Sequence, residues 1–201
     1  MTSERELELS ERLVKRQVVH KGTYMIFARD TVLDPEGKEH ARDIVIHPGA
    51  VTVVAILPDR RLVLVRQYRH AAGEALLELP AGTLDRQPDE SIEEPLSAAK
   101  RELTEETGYR AERWRELATF FTAPGFASEL MTLYLATGLS PDPEHTGPDP
   151  DERLNVELLP FDEALALAQR GELRDAKTIT GVLLAATLAR AGEIEELAAE
   201  G

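Results

Sequence analysis

Glu4 to Lys15 mixes charged and apolar positions without a clear period, which suits either a short exposed helix or a disordered lead. Apolar, β-branched runs follow at VVH (Val18–His20), TYMIFARDTVL (Thr23–Leu33) and ARDIVIH (Ala41–His47). The turn Asp34-Pro35-Glu36-Gly37-Lys38 separates the last two, and such a turn between β-formers predicts a hairpin. AVTVVAIL (Ala50–Leu57) and LVLVRQYR (Leu62–Arg69) flank a second turn and predict a second hairpin. The first of these strands is apolar at nearly every position, which places it centrally with both faces covered. LLELP (Leu76–Pro80) reads as a short strand, followed by a loop. Pro95 fits the first turn of a helix and Gly108 the position just past its end, with Leu96, Ala99 and Leu103 as the buried stripe. Strands are predicted near 115–122 and 130–137, then a long acidic, proline-rich loop from Ser140 to Glu152. LNVELL (Leu154–Leu159) predicts a strand, and helices follow from Phe161 to Arg170 and from Ala176 to Arg190. Strands, a helix, more strands and then helices predict an α/β (α+β) sandwich on a mixed sheet, not a doubly wound parallel one.

Composition narrows the function classes. The chain has 201 residues, enough for one sizeable core and a small appendage. With 37 acidic and 23 basic residues its formal net charge is −14, which argues against nucleic acid or an anionic membrane as partner. A nucleotide-sized anion remains compatible where cations mask the acids. The absence of cysteine removes disulfides, thiolate metal sites and cysteine nucleophiles. The N-terminus lacks the apolar core of a signal peptide, and the stretch from Gly181 to Ala189 is too short to span a bilayer. A soluble, cytoplasmic protein is expected.

Candidate chemistry begins at the end of the first predicted helix, Arg101-Glu102-Leu103-Thr104-Glu105-Glu106-Thr107-Gly108. Glu102 and Glu106 lie about 40° apart on one face, one turn from each other. Two carboxylates so placed suit a hard cation, because Mg²⁺ takes a few carboxylates together with waters and substrate phosphates. Glu105 either completes that cluster or pairs with Arg101 four residues earlier. An isolated motif of this kind is usually a solvated helix face, yet three glutamates near a helix C-terminus oppose its dipole. Ala81, at the end of Leu77-Glu78-Leu79-Pro80-Ala81-Gly82, can offer its carbonyl to the same cation.

Taken together, these two features resemble the Nudix box of the Nudix hydrolase family. The family pattern is Gly, five residues, Glu, seven residues, then Arg-Glu-apolar-x-Glu-Glu-x-Gly-apolar, and Glu93, Arg101, Glu102, Leu103, Glu105, Glu106, Gly108 and Tyr109 match its second half. Ten residues, TLDRQPDESI, separate Gly82 from Glu93 where the family has five, so either Glu93 or Glu90 takes the first-glutamate place. HPGAV (His47–Val51), LVRQYRHAAGEALLELPAG and TAPGFASE (Thr122–Glu129) look like the ADP-ribose pyrophosphatase branch. In that branch a proline lies about sixteen residues past the box, and Pro124 holds the place.

The resemblance implies a Nudix-type α/β/α sandwich with a mixed sheet, plus a small N-terminal antiparallel sheet. Residues 1–46 would then serve dimerisation and substrate contacts, and 47–201 would be the hydrolase domain. It implies hydrolysis of ADP-ribose to AMP and ribose 5-phosphate with two or three Mg²⁺ ions, or Mn²⁺ or another divalent cation. Ala81, Glu102, Glu106 and Glu105 are the implied metal residues; Glu152 and Glu105 are the implied catalytic residues, Glu152, with Asp151 beside it, being the acid acting on the attacking water. Arg69 matches an arginine that grips the diphosphate, with Arg42 a weaker counterpart and Gly82 at the substrate turn. Tyr24 and Phe27 lie where the branch holds adenine, and at least one of the two is expected to be core. Arg66 is expected at the surface, Trp114 and Tyr109 as packing, and the five histidines show no ligand spacing. Dimers of this branch build the adenine pocket across the interface, so a homodimer is expected. Nucleotide sugars and dinucleoside polyphosphates are the alternative substrates. A non-catalytic nucleotide-binding regulator is the alternative class, against which the intact glutamate triplet counts.

Overall fold

The computed structural model describes residues 9–143, 145 and 153–197. The chain divides into two compact units, Met1–Gly49 with Phe121–Leu130, and Ala50–Phe120 with Met131–Gly201.

The first unit is a three-stranded antiparallel sheet of β1 (Arg12–Lys21), β2 (Ile26–Leu33) and β3 (Glu39–Ile46), with β2 in the middle. Alternate residues of β2, Ala28, Asp30 and Val32, are buried, the period expected of a strand with one covered face. The buried Asp30 accepts two hydrogen bonds from Arg16 of β1, at 2.9 and 2.7 Å. Arg12 to Lys15 belong to β1, neither helix nor disordered lead. Every residue of β1 is exposed, so the strand is held by its backbone ladder to β2 and leaves no hydrophobic period to read. Residues 121–130 lie along β3: the Val45 amide donates to the Phe126 carbonyl at 2.7 Å, and the Ser128 amide to the Val45 carbonyl at 2.9 Å.

In the second unit the main sheet runs β10 (Leu154–Pro160), β5 (Arg61–Arg69), β4 (Ala50–Ile56), β9 (Leu130–Pro141), β8 (Tyr109–Phe121). β6 (Glu74–Glu78) adds to β5, and β7 (Ala81–Thr83) to β4. The β4–β9 pair is parallel, whereas β4 meets β5 and β7 antiparallel, so the sheet is mixed. β4 is buried along its whole length. Val54 and Ile56 face a core built with α2 (Phe161–Gln169) and α3 (Ala176–Arg190), and Val51, Val53 and Ala55 face a core built with α1 (Pro95–Thr107). Helices on both faces explain the unbroken apolar run.

α1 starts and stops on local signals. Pro95 opens it, Glu94 accepts the Ser97 amide at 2.9 Å, and Gly108 closes it in a left-handed conformation at φ 70°. The buried face holds Ala99 and Leu103 but also Glu102 and Glu106, while Leu96 is only half-buried. Trp114 packs edge-on against Tyr134, with ring centres 6.3 Å apart. No described helix is long and apolar enough to cross a membrane.

Candidate functional site

The strand end Pro80-Ala81-Gly82 lies against the C-terminal half of α1. The Pro80 carbonyl accepts from the Val53 amide at 2.9 Å and from Thr52 Oγ1 at 3.1 Å, which ties this turn to the central strand. The next residues form β7, where an irregular loop was expected, because Ala50 to Thr52 offer a free edge to pair with. From there the Ala81 amide donates to Glu106 Oε2 at 3.0 Å. Glu102 and Glu106 are only 8% and 3% exposed, so the ordinary reading of a solvated helix face is overturned.

Gly82 leaves room for this packing. A methyl group there would stand 2.5 Å from Glu102 Oε2 and closer still to its Oε1 and Cδ. The Glu102 carboxylate therefore occupies the space any other residue's Cβ would fill.

Arg101 gathers the remaining acids. Its Nη1 meets Glu102 Oε1 at 2.8 Å and Glu105 Oε2 at 3.0 Å, and its Nη2 meets Glu93 Oε2 at 2.9 Å. Of the two glutamates left open by the loop length, Glu93 is the one joined to Arg101; Glu90 is exposed, with a positive φ of 67°. Burial works against the Arg101 charge, but the hydrogen bond with Glu93 and the field of Glu102 outweigh it and hold its pKa above the ordinary value. The hydrogen bond from Arg101 in turn holds the Glu93 carboxyl below the usual range.

Among the described residues no three acidic or histidine side chains converge closely enough to cage an ion unaided. Mg²⁺ does not need such a cage, since it works with one or two carboxylates and completes its shell with water and substrate phosphate. The buried pair Glu102 and Glu106 fits that demand. Glu93, Glu102 and Glu105 also set three carboxylates against the single Arg101 guanidinium, a surplus of negative charge that a divalent cation suits.

A second ionic cluster stands at the end of β6. Glu78, 1% exposed, accepts from Arg69 Nε at 2.7 Å and Nη2 at 2.8 Å, and also pairs with Lys177 of α3. Burial pushes the Glu78 carboxyl up, but Arg69 and Lys177 together pull it below the usual range, so it is ionised at neutral pH. Sequence reasoning missed Glu78 and Lys177. The available signals were a carboxylate inside the apolar run LLELP and a lysine in the first turn of a largely apolar helix.

Of the other anticipated residues, Arg42, Pro124, Tyr24 and Phe27 belong to the first unit. Arg42, on β3, pairs with Glu11. Pro124 lies in the turn of segment 121–130. Tyr24 and Phe27 are 63% and 44% exposed, which corrects the expectation that one of them is core. Tyr24 sits in the β1–β2 turn, and Phe27 points away from the covered face that carries Ala28, lining with Val45 an open groove of about 530 Å³. Arg66 is half-buried against Glu157 at 2.5 Å. Glu152 and Asp151 lie outside the described residues.

Comparison with known proteins supplies the family. The family model for the NUDIX domain matches residues 46–181. The chain is 40% identical over 172 residues to the methanol dehydrogenase activator of Bacillus methanolicus, covering 86% of this chain and 90% of that one. It is 37% identical over 170 residues to the ADP-ribose pyrophosphatase of Bacillus subtilis, covering 85% and 89%. The solved structure of an ADP compounds hydrolase superposes with a TM-score of 0.76 at 22% identity, over 92% of this chain and 97% of that one, and so shares the fold. Since the matched span holds both the glutamate helix and the glycine that makes room for it, the chain belongs to the Nudix hydrolase family.

Proposed function

We propose that this protein hydrolyses the diphosphate bond of ADP-ribose to AMP and ribose 5-phosphate in the cytoplasm, using two or three Mg²⁺ ions or an equivalent divalent cation such as Mn²⁺. The observation that carries the reading is the buried pair Glu102 and Glu106 packed against Ala81 and Gly82. Similarity over 85% of the chain to an ADP-ribose pyrophosphatase supports the choice of substrate. Glu102, Glu106 and the Ala81 carbonyl hold the cations, and Glu105 joins them on release from Arg101. When bound, such ions neutralise a diphosphate and lower the pKa of nearby water. Arg69 binds the diphosphate through the guanidinium edge that Glu78 leaves open. Glu152, or Asp151 beside it, positions or deprotonates the attacking water. Residues 1–46 pair two copies into a homodimer, and 47–201 act as the hydrolase domain. Arg42 is a weaker counterpart to Arg69 at the diphosphate, Tyr24 and Phe27 serve the adenine end, and Pro124 contributes to specificity.

The deciding experiment incubates the protein with Mg²⁺ and a panel of ADP-ribose, nucleotide sugars and dinucleoside polyphosphates, and identifies the products. AMP and ribose 5-phosphate are expected from ADP-ribose, with turnover lost in EDTA and restored by Mg²⁺. Faster cleavage of another panel member would reassign the substrate. The similarity to a methanol dehydrogenase activator carries a second reading, a nucleotide-binding regulator of a dehydrogenase. ADP-ribose binding with no AMP formed would favour it.

A further inference from the structure

Glu78 and Lys177 lie outside the metal-binding glutamates, yet both carry charge into the protein interior. A buried carboxylate is costly unless paired and hydrogen-bonded, and Glu78 is paired on both sides. Arg69 holds it through parallel bonds of 2.7 and 2.8 Å, the two-pronged geometry that fixes a guanidinium plane. This grip employs two of the five guanidinium donors and leaves the outer edge of a side chain that is partly open to solvent.

The rest of the network anchors Glu78. Lys177 Nζ reaches Asp175 Oδ2 at 3.0 Å as well as Glu78. Asp175 caps α3 by accepting the Thr178 amide at 3.0 Å, and Thr178 Oγ1 accepts the Leu79 amide at 2.8 Å. The first turn of α3 is therefore bonded to the two residues that precede Pro80, Ala81 and Gly82. A salt bridge retained only for stability has a simpler substitute in apolar side chains of similar size. What an apolar replacement cannot do is hold an arginine fork still.

We propose that Glu78, clamped by Lys177, is a positioning residue that locks the Arg69 guanidinium in the orientation that receives the substrate diphosphate. This inference rests on the reading of Arg69 as a diphosphate-binding residue. A free arginine side chain samples many rotamers and must be ordered on binding, whereas one already held by Glu78 loses little further freedom. The network thus acts on substrate affinity and leaves the hydrolytic step to other groups.

The test uses four full-length proteins: wild type, Glu78→Gln, Arg69→Gln and the double variant. Glu78→Gln keeps the volume, removes the charge and turns one end of the fork's partner into a donor. Its KM for ADP-ribose is expected to rise about tenfold while kcat stays within about twofold. The double variant is expected to match Arg69→Gln alone, because removing the arginine leaves Glu78 nothing to position. In ¹⁵N NMR the Arg69 Nε–H is expected to exchange slowly with solvent in wild type and fast in Glu78→Gln. A wild-type KM for Glu78→Gln overturns the proposal, as do fully additive effects in the double variant. A wild-type KM for Arg69→Gln removes Arg69 from the site, and both readings fall together. If Glu78→Gln does not fold, Glu78→Asp takes its place: the charge stays, the fork is held more loosely, and an intermediate KM is expected. A wild-type KM there overturns the proposal too.

Discussion

Substituting Gly82 by alanine probes the contact between β7 and α1 with a single methyl group. Gly82 does not adopt a positive φ, so alanine brings no backbone strain. The whole effect comes from the new Cβ, which would lie 2.5 Å from Glu102 Oε2 and nearer still to Oε1 and Cδ. Ordinary carbon–oxygen contact is about 3.5 Å, so the carboxylate must retreat by about 1 Å or more. Retreat is opposed, since Glu102 is buried and bonded to Arg101 at 2.8 Å. Overpacking of this kind costs about 1–3 kcal/mol, which lowers Tm by several degrees in a chain of this size. Displacement by about 1 Å of a carboxylate proposed to hold a cation is expected to lower kcat/KM on the order of 10²-fold. The assay measures AMP release at 25 °C with saturating Mg²⁺, alongside circular dichroism to establish that the variant is folded. A folded Gly82→Ala protein with wild-type kcat/KM would refute the argument, because Glu102 could then not serve the reaction from its observed position.

Glu106→Gln is expected to keep the fold and lose nearly all turnover, since it removes one proposed anionic ligand at constant volume while retaining an acceptor for the Ala81 amide; wild-type turnover with saturating Mg²⁺ would contradict the proposed metal role. Stability is expected to fall in acid. The carboxyls of Glu78 and Glu93 are depressed in the folded state, so their contribution is complete above the ordinary glutamate value of about 4.3 and is lost as pH falls through the folded values. A Tm that stays level from pH 7 down to about 5 and then declines agrees with this, and a Tm that rises on acidification contradicts it. Light scattering at micromolar concentration is expected to give a dimer mass, because Val18, Val19, Tyr24 and Phe27 expose apolar surface on the first unit; a mass of 22.2 kDa rules the dimer out.

Local signals in the chain specified a good part of this protein. Pro95 and Gly108 mark the ends of α1, because each acts through its own backbone: one lacks a donor the first turn does not need, and the other accepts a positive φ. The unbroken apolar run of β4 announced a strand covered on both faces, and the spacing of Glu102 and Glu106 put two carboxylates on one side of a helix. Spacing could not say which way that side faces. The tertiary structure turned it inward, against a strand end where only glycine leaves space, and a solvated face became a buried pair. β7 was likewise invisible beforehand, and only Val18 to His20 pointed to β1, since each strand is defined by backbone bonds to a neighbour, which no side-chain period records. The partnership of Glu78 with Lys177 joins residues 99 positions apart, and a charge that looks exposed in a sequence becomes a buried ion pair only when the chain brings its partner to it. Helix ends and strand faces follow from neighbours along the chain, whereas the burial and pairing of charges depend on neighbours in space.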